Sequence, residues 1–412
     1  MAETIVFNII VPTRDRAETL VHCLRTIVNQ DYEHLNIIVC DNFSQDNTKE
    51  VVDSFADKRI KYINPGKRIS MSHNWEYALG HVADGWVAIV GDDDGLLPNA
   101  LVTLAEAIET TGCRGLISKR CTYFWPDSLT VNNRGVFVDN NLTVPVTSGV
   151  EIRNGRQWLG KLMRGEAFYY DLPMLYTGGV VHVSVINKAR DSHGTFFLSM
   201  IPDVYSGIAL ASVLNEYVML HEPVFVSGVS AKSNGASALG NGKNTDPAKY
   251  FFSESNISFH SKLCGGESIK SIPILVYGSY LQSAHLHRDF LKVATEGQLA
   301  IALFSVTPEL SADLRNFCDQ VASDNRLDMR GVDRKVRQLK RELFASRFGN
   351  MAQRVMGEIT VCGKDFGIQD IYGAVILARS TYVLQTRYAH WRFGNFNDSL
   401  KRVARRIASK IF

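Results

Sequence analysis

Three consecutive carboxylates, Asp92, Asp93 and Asp94, follow an apolar run that contains Trp86, Val87, Ile89 and Val90. Three like charges in a row repel one another. A divalent cation with oxygen ligands offsets that repulsion, and phosphate is the natural company of such a cation. A solvated acidic turn is the plainer alternative. The apolar run reads as a strand buried on both faces. The triplet then sits at the carboxyl end of that strand, where open α/β sheets bind ligands. Two earlier apolar runs also end in polar groups. Phe7 to Val11 gives way to Pro12, Thr13 and Asp15, and Leu35 to Cys40 gives way to Asp41. In a parallel sheet these ends line one edge, so acids far apart in sequence would meet in one crevice.

The intervening segments must supply that sheet. Leu20, Val21, Leu24, Ile27 and Val28 recur at helical spacing, and Thr48 to Phe55 and Ser70 to Val82 also read as helices. Arg59 to Ile63 alternates like a strand. Strands alternating with helices give βαβ units and a mostly parallel sheet. No Gly-x-Gly-x-x-Gly follows the first strand and no Gly-x-x-x-x-Gly-Lys-Ser/Thr occurs, which excludes the usual dinucleotide and phosphate-loop sites. With 412 residues, two domains are expected. The apolar fraction of 45% and charged fraction of 21% are those of an ordinary globular protein. A net charge of +3 gives no reason to expect nucleic acid as a partner. Seven scattered cysteines without a Cys-x-x-Cys pair suggest free thiols in a reducing compartment. Lacking a signal-like start and a membrane-length apolar run, the protein is expected in the cytoplasm, with peripheral membrane attachment left open.

Ile9-Ile-Val-Pro-Thr-Arg-Asp15, Val39-Cys-Asp-Asn-Phe-Ser-Gln-Asp-Asn-Thr48 and Gly91-Asp-Asp-Asp-Gly-Leu-Leu-Pro98 together resemble the nucleotide-sugar motifs of family 2 glycosyltransferases of GT-A fold, over residues 5–230. The resemblance implies an α/β nucleotide-sugar-binding domain with a mostly parallel central sheet. Asp41 would accept the ring N–H of the nucleobase, a group that uracil, thymine and guanine have and adenine and cytosine lack. Asp92 would face the ribose and Asp93 would coordinate Mn²⁺ or Mg²⁺. The family more often writes Asp-x-Asp-Asp, and Gly91 stands at the first of those positions, so Asp94 remains a second metal candidate. Pro12, Thr13 and Asp15 would line the donor site. Arg68 would contact the base or a phosphate, unless it is only a solvated loop cation. Asn74 lies in the third helix, able to hold the nearby loop or face the donor.

Beyond Gly112 the alternation stops and short strands are expected, a region that family members use for the acceptor. Tyr169 to Gly179 is rich in aromatics and glycine, which suits either a sugar-stacking surface or ordinary packing. Asp203, read as lying in a loop before a helix over 208–214, is either a helix cap or, by the resemblance, the base that deprotonates the acceptor hydroxyl. Asp191 and Glu216 are weaker candidates, and His182 and His221 are either further metal or acceptor ligands or, more simply, core histidines. Pro223 to Ser237 reads as a strand and a loop from which Lys232 could close over a diphosphate.

Residues 1–240 are therefore expected to form the transferase domain, divided at 110 into donor and acceptor halves, and 241–412 a helical domain able to mediate self-association. The last stretch, 399–412, places Leu400, Val403, Ala404, Ile407 and Ile411 on one face and basic residues on the rest, as a membrane-surface helix would. The expected reaction is metal-dependent, inverting sugar transfer from a nucleotide-sugar donor to a glycan or lipid-linked acceptor. A sugar-phosphate nucleotidyltransferase and a non-catalytic glycan-binding scaffold are the other classes that could use an acidic sheet edge.

Overall fold

A computed structural model describes residues 4–126, 128, 130–131, 137–233, 251, 254–266, 269, 271–306 and 310–387. The basic amphipathic stretch 399–412 and the last four residues of the loop 223–237 lie outside the described residues.

Eight strands form the main path of the sheet: β1 (Phe7–Thr13), β2 (Leu35–Asp41), β3 (Ile60–Ile63), β4 (Trp86–Ile89), β6 (Gly115–Phe124), β10 (Val150–Asn154), β11 (Gly179–His182) and β12 (Glu216–Val229). The short β5 (Gly95–Leu96) pairs with β12, and β7 (Thr130–Val131) and β8 (Phe137–Val138) form a separate two-stranded ribbon. The order is β10-β12-β6-β11-β4-β1-β2-β3. Pairings of β3, β2, β1 and β4 are parallel, as is β6 with β12. Along this path β11 and β10 run against this direction. Pro12 is tolerated inside β1 because pairing with β4 ends at Ile10.

Period-two alternation sorts each central strand between two cores. Phe7, Ile9, Val11, Ile37 and Val39 pack with α1 (Ala17–Val28), α2 (Thr48–Asp53) and α4 (Ala100–Thr111). Ile10, Ile38, Cys40 and Ile89 face α3 (Met71–Leu79), α6 (Val183–Lys188) and α7 (Pro202–Val213). Burial on both faces explains why these strands read as unbroken apolar runs. Helix α5 (Gly155–Met163) joins α7 and the helices Ile272–Gln282, Thr295–Ser305 and Ser311–Asp324 in a further core. Among the described residues no helix is long and apolar enough to cross a membrane.

The chain then returns to the sheet. After the helix Met329–Gly357, β13 (Glu358–Cys362) pairs antiparallel with β9 (Asn141–Pro145), which itself pairs with β6. The helix Ile371–Arg387 buries Ile371, Ala374, Val375, Ala378 and Tyr382 against Leu97, Cys121, Tyr123, Trp125 and Val226. A Cβ on Gly95 would come within 3.0 Å of Val375 and 3.1 Å of Ile371, so the helix lies directly over the turn that follows the acidic triplet. Ile371→Ala should therefore destabilise the whole chain by about 2–5 kcal/mol in chemical denaturation, as a core truncation does. A change within a few tenths of a kcal/mol would mean that this helix is only loosely attached.

Candidate active site at the acidic sheet edge

The carboxyl ends of β1, β2 and β4 bring Thr13, Asp41 and Asp92 to neighbouring positions. Register places Thr13 beside Asp41, and Thr13 Oγ1 donates to Asp92 Oδ2 at 2.7 Å. The loops after β1 and β2 are knitted together. Asp15 adopts a left-handed φ of 53°, which an aspartate tolerates better than most residues. Its N–H donates to Ser44 Oγ at 2.9 Å and its Oδ1 accepts from the Gln45 N–H at 2.7 Å. Asp41 accepts from the Ser44 N–H at 2.9 Å and from Tyr62 Oη at 2.5 Å, which fixes its carboxylate at the crevice wall. Asn74 is buried and spends its amide on Cys40, so it reaches this wall only by holding the end of β2.

The three acids of the triplet are all buried, yet they have different surroundings. Asp94 accepts from Thr177 Oγ1 at 2.5 Å, the Gly228 N–H at 2.7 Å and the Gly91 N–H at 3.0 Å. Burial, and next the Asp93 charge, push its carboxyl up to about 7 against those bonds. Asp93 Oδ2 accepts from Ser230 Oγ at 2.6 Å. Asp92 Oδ1 accepts from Arg16 Nη1 at 2.7 Å, and the same nitrogen is 3.7 Å from Asp93. Burial raises the Asp92 carboxyl, and Arg16 opposes that rise. Burial works against the Arg16 charge in turn, but Asp92 and Asp93 outweigh it and hold the guanidinium protonated.

Sequence reasoning overlooked Arg16, although it directly follows Asp15 in the loop that faces this edge. It also missed Ser230, Thr177 and Tyr176 as partners of the triplet. The segment 175–177 runs beside the end of β4, where the Thr177 N–H donates to the Ile89 carbonyl. That places the Tyr176 ring on Trp75, with centroids 5.5 Å apart. Gly91, the departure from the commoner motif, then has a physical cause. A Cβ there would lie 2.7 Å from Tyr176 Oη and 2.8 Å from Asp94 Oδ2.

Asp203 is not in a loop, as the sequence suggested. Pro202 occupies the first turn of α7, and Asp203 follows it inside the helix. Burial raises its carboxyl, while the Val204 N–H and then Arg120 oppose the rise. Burial, and next the charges of Asp94, Asp93 and Asp203, push the Tyr176 phenol well up. Arg120 donates to the Thr177 carbonyl at 3.3 Å and lies 5.1 Å over the Tyr170 ring, which stacks on the exposed Phe168. Lys232 closes the opposite wall, donating to the Asp15 carbonyl at 2.9 Å and to Glu18 at 2.6 Å. Arg68 pairs with Glu254 at 3.0 Å. The other candidates lie elsewhere. Asp191 caps its own turn, His182 caps α6 against Trp86, His221 sits beside Glu151, and Glu216 is exposed at the start of β12. A cavity of about 880 Å³ lined by Asn8, Asp84, Trp86 and His182 opens at the amino ends of the strands, away from the acids.

Among the described residues no group of three or more His, Cys, Asp or Glu side chains is placed to hold a metal ion by itself. Two adjacent carboxylates and a serine hydroxyl are nevertheless hard oxygen donors. They fit an ion that keeps water and takes its remaining ligands from a diphosphate, as Mg²⁺ and Mn²⁺ do.

Residues 8–166 match the model of Glycosyl transferase family 2, and this part of the chain is a family 2 glycosyltransferase domain. With the sheet order and strand directions above, its fold is GT-A. The chain is 38% identical over 102 residues to the Campylobacter jejuni GalNAc(5)-diNAcBac-PP-undecaprenol beta-1,3-glucosyltransferase, a match covering 24% of this chain and 33% of that protein. It is 28% identical over 94 residues to the Escherichia coli UDP-Glc:alpha-D-GlcNAc-diphosphoundecaprenol beta-1,3-glucosyltransferase WfgD, covering 23% of this chain and 37% of that one. These matches thus span about a third of the curated relatives' length. Staphylococcus aureus TarS 1–349 in complex with UDP-GlcNAc aligns over 78% of this chain and 92% of that one, at 15% identity and a TM-score of 0.45.

Gly91→Ala should cost about 1–3 kcal/mol, as overpacking does. Tyr176→Phe in the same chain should recover part of that loss in a double-mutant cycle. Strict additivity of the two changes would contradict the contact between them.

Proposed function

We propose that the chain is a metal-dependent inverting glycosyltransferase acting in surface polysaccharide synthesis. It moves a sugar from a nucleotide-diphosphate donor, a UDP-sugar, to a hydroxyl of a glycan or lipid-linked acceptor. One observation carries this reading: the acids at the ends of β2 and β4 share a sheet edge, with Thr13 beside Asp41 and donating to Asp92. The names of the two curated relatives support a lipid-diphosphate-linked acceptor.

Asp41, oriented by Ser44 and Tyr62, accepts the uracil ring N–H. Asp92 faces the ribose, and Asp93, beside Ser230, holds Mn²⁺ or Mg²⁺. Asp94 has three protein donors, so its first task is to fix the turn, and it is the weaker metal candidate. When bound, the ion supplies Lewis-acid stabilisation of the departing diphosphate. Arg16, Lys232 and Arg68 add fixed positive charge around that diphosphate. Thr13 and Pro12 keep the β1 end in register with Asp41. On the other side Asp203 takes the proton of the acceptor hydroxyl. Its raised pKa makes it a stronger base than a solvated aspartate.

Thermal-shift measurements should find stabilisation by UDP when Mn²⁺ is present and little with UDP alone. Equal stabilisation with and without the ion would remove the metal from the proposal. Asp203→Asn should lower turnover by about 10²–10⁴-fold while UDP binding persists. Unchanged turnover would exclude Asp203 as the base. The base works ionised, so activity should fall as pH drops through its raised pKa, above the usual aspartate value of about 3.9. The native state also binds this proton more tightly than the unfolded chain, so ionised Asp203 is destabilising. Asp203→Asn should therefore raise the Tm at pH 7 while it lowers turnover.

A further inference from the structure

Arg14 directly follows Thr13 in the loop after β1. Arg68 precedes Ile69, whose N–H and carbonyl are both held by the side chain of Asn42, at 3.0 and 2.7 Å. Asn42 in turn follows Asp41. The two guanidiniums thus flank the same crevice from two loops. Burial disfavours the Arg14 charge, and the nearby Arg68 adds to that effect. Gathering two cations on a half-buried rim is unfavourable unless an anion joins them. Here the anion is Glu254, whose Oε1 accepts from both Arg14 Nη1 and Arg68 Nε, although Glu254 lies 240 residues from Arg14 in the sequence. Its side chain is only 12% exposed, so this is not a freely solvated contact.

We infer that Arg14 and Arg68 form an anion subsite of the donor crevice, which Glu254 fills as an internal ligand and which a phosphate of the nucleoside diphosphate must take over. A carboxylate and a phosphate offer guanidinium the same acceptor oxygens, and phosphate offers more of them and more charge. Glu254 therefore lowers the apparent affinity for the donor by the fraction of molecules in which it is seated. The internal ligand also keeps the two arginines in place before the donor arrives. This inference rests on the donor-site reading above, and its test separates the two.

Calorimetric titration of the full chain and of Glu254→Gln, each with UDP and with inorganic pyrophosphate in Mg²⁺, reads the competition directly. The variant keeps the shape of the side chain but lacks its charge. It should bind UDP about tenfold more tightly than the parent chain, as expected if Glu254 is seated nine-tenths of the time. Adding Arg68→Gln should remove that gain. Equal or weaker UDP binding by Glu254→Gln would overturn the inference and leave the donor site standing. A gain for pyrophosphate with no UDP binding in either chain would uphold the anion subsite and overturn the nucleotide reading.

Discussion

The structure depends on keeping three carboxylates together inside the protein. Two unit charges about 4 Å apart cost roughly 4 kcal/mol at an effective dielectric of about 20, so three buried acids need explicit compensation. The chain supplies it in two ways. Arg16 offsets the charge of Asp92 and part of that of Asp93. Two donors from other segments, Thr177 and Gly228, and the Gly91 N–H of its own turn converge on Asp94. The turn is thereby fixed from β1, β4, β12 and the 175–177 segment at once. One acid becomes structure, one becomes an ion-pair partner, and Asp93, with a single hydroxyl donor and the more distant arginine, keeps the most capacity for a ligand.

This compensation explains several features that look unrelated. Gly228 cannot carry a side chain, because a Cβ would lie 1.8 Å from the Asp93 carbonyl, and its N–H is needed by Asp94. Trp125 Nε1 donates to that same carbonyl at 3.0 Å. Trp125 belongs to the core covered by the helix Ile371–Arg387. A segment more than 270 residues downstream of the triplet, by sequence position, therefore helps to seal the turn that presents it. The C-terminal region is thus a structural part of the site's support.

Much of this was legible in the chain itself. Strands packed on both faces must be apolar throughout, so their polar ends stand out, and Thr13, Asp41 and Asp92 do meet where parallel pairing puts them. What could not be read had physical reasons. The four residues of β11 enter antiparallel between β4 and β6, a long-range pairing with no local signature. Asp203 was read one element too early because Met200, Ile201 and Pro202 look like a loop, whereas proline at the first helical position starts α7. Arg16 resembled any loop cation, since its value lies in two acids almost eighty residues away. Strand β13 is partly exposed and borders a long helix, so no period-two burial marks it.

The placement of Tyr176 ties the two sides of the crevice together. Its phenol is held protonated by burial and by the acids around it, so it is a neutral hydroxyl among charges. The raised Asp94 and Asp203 carboxyls both follow first from burial. The Asp203 carboxyl is raised by burial, as the Asp92 carboxyl is, and at the triplet Arg16 opposes that rise. A mutation that lets water in beside Tyr176 would relax both at once. Tyr176, stacked on Trp75 and buried beside the triplet, is part of that low-dielectric surrounding.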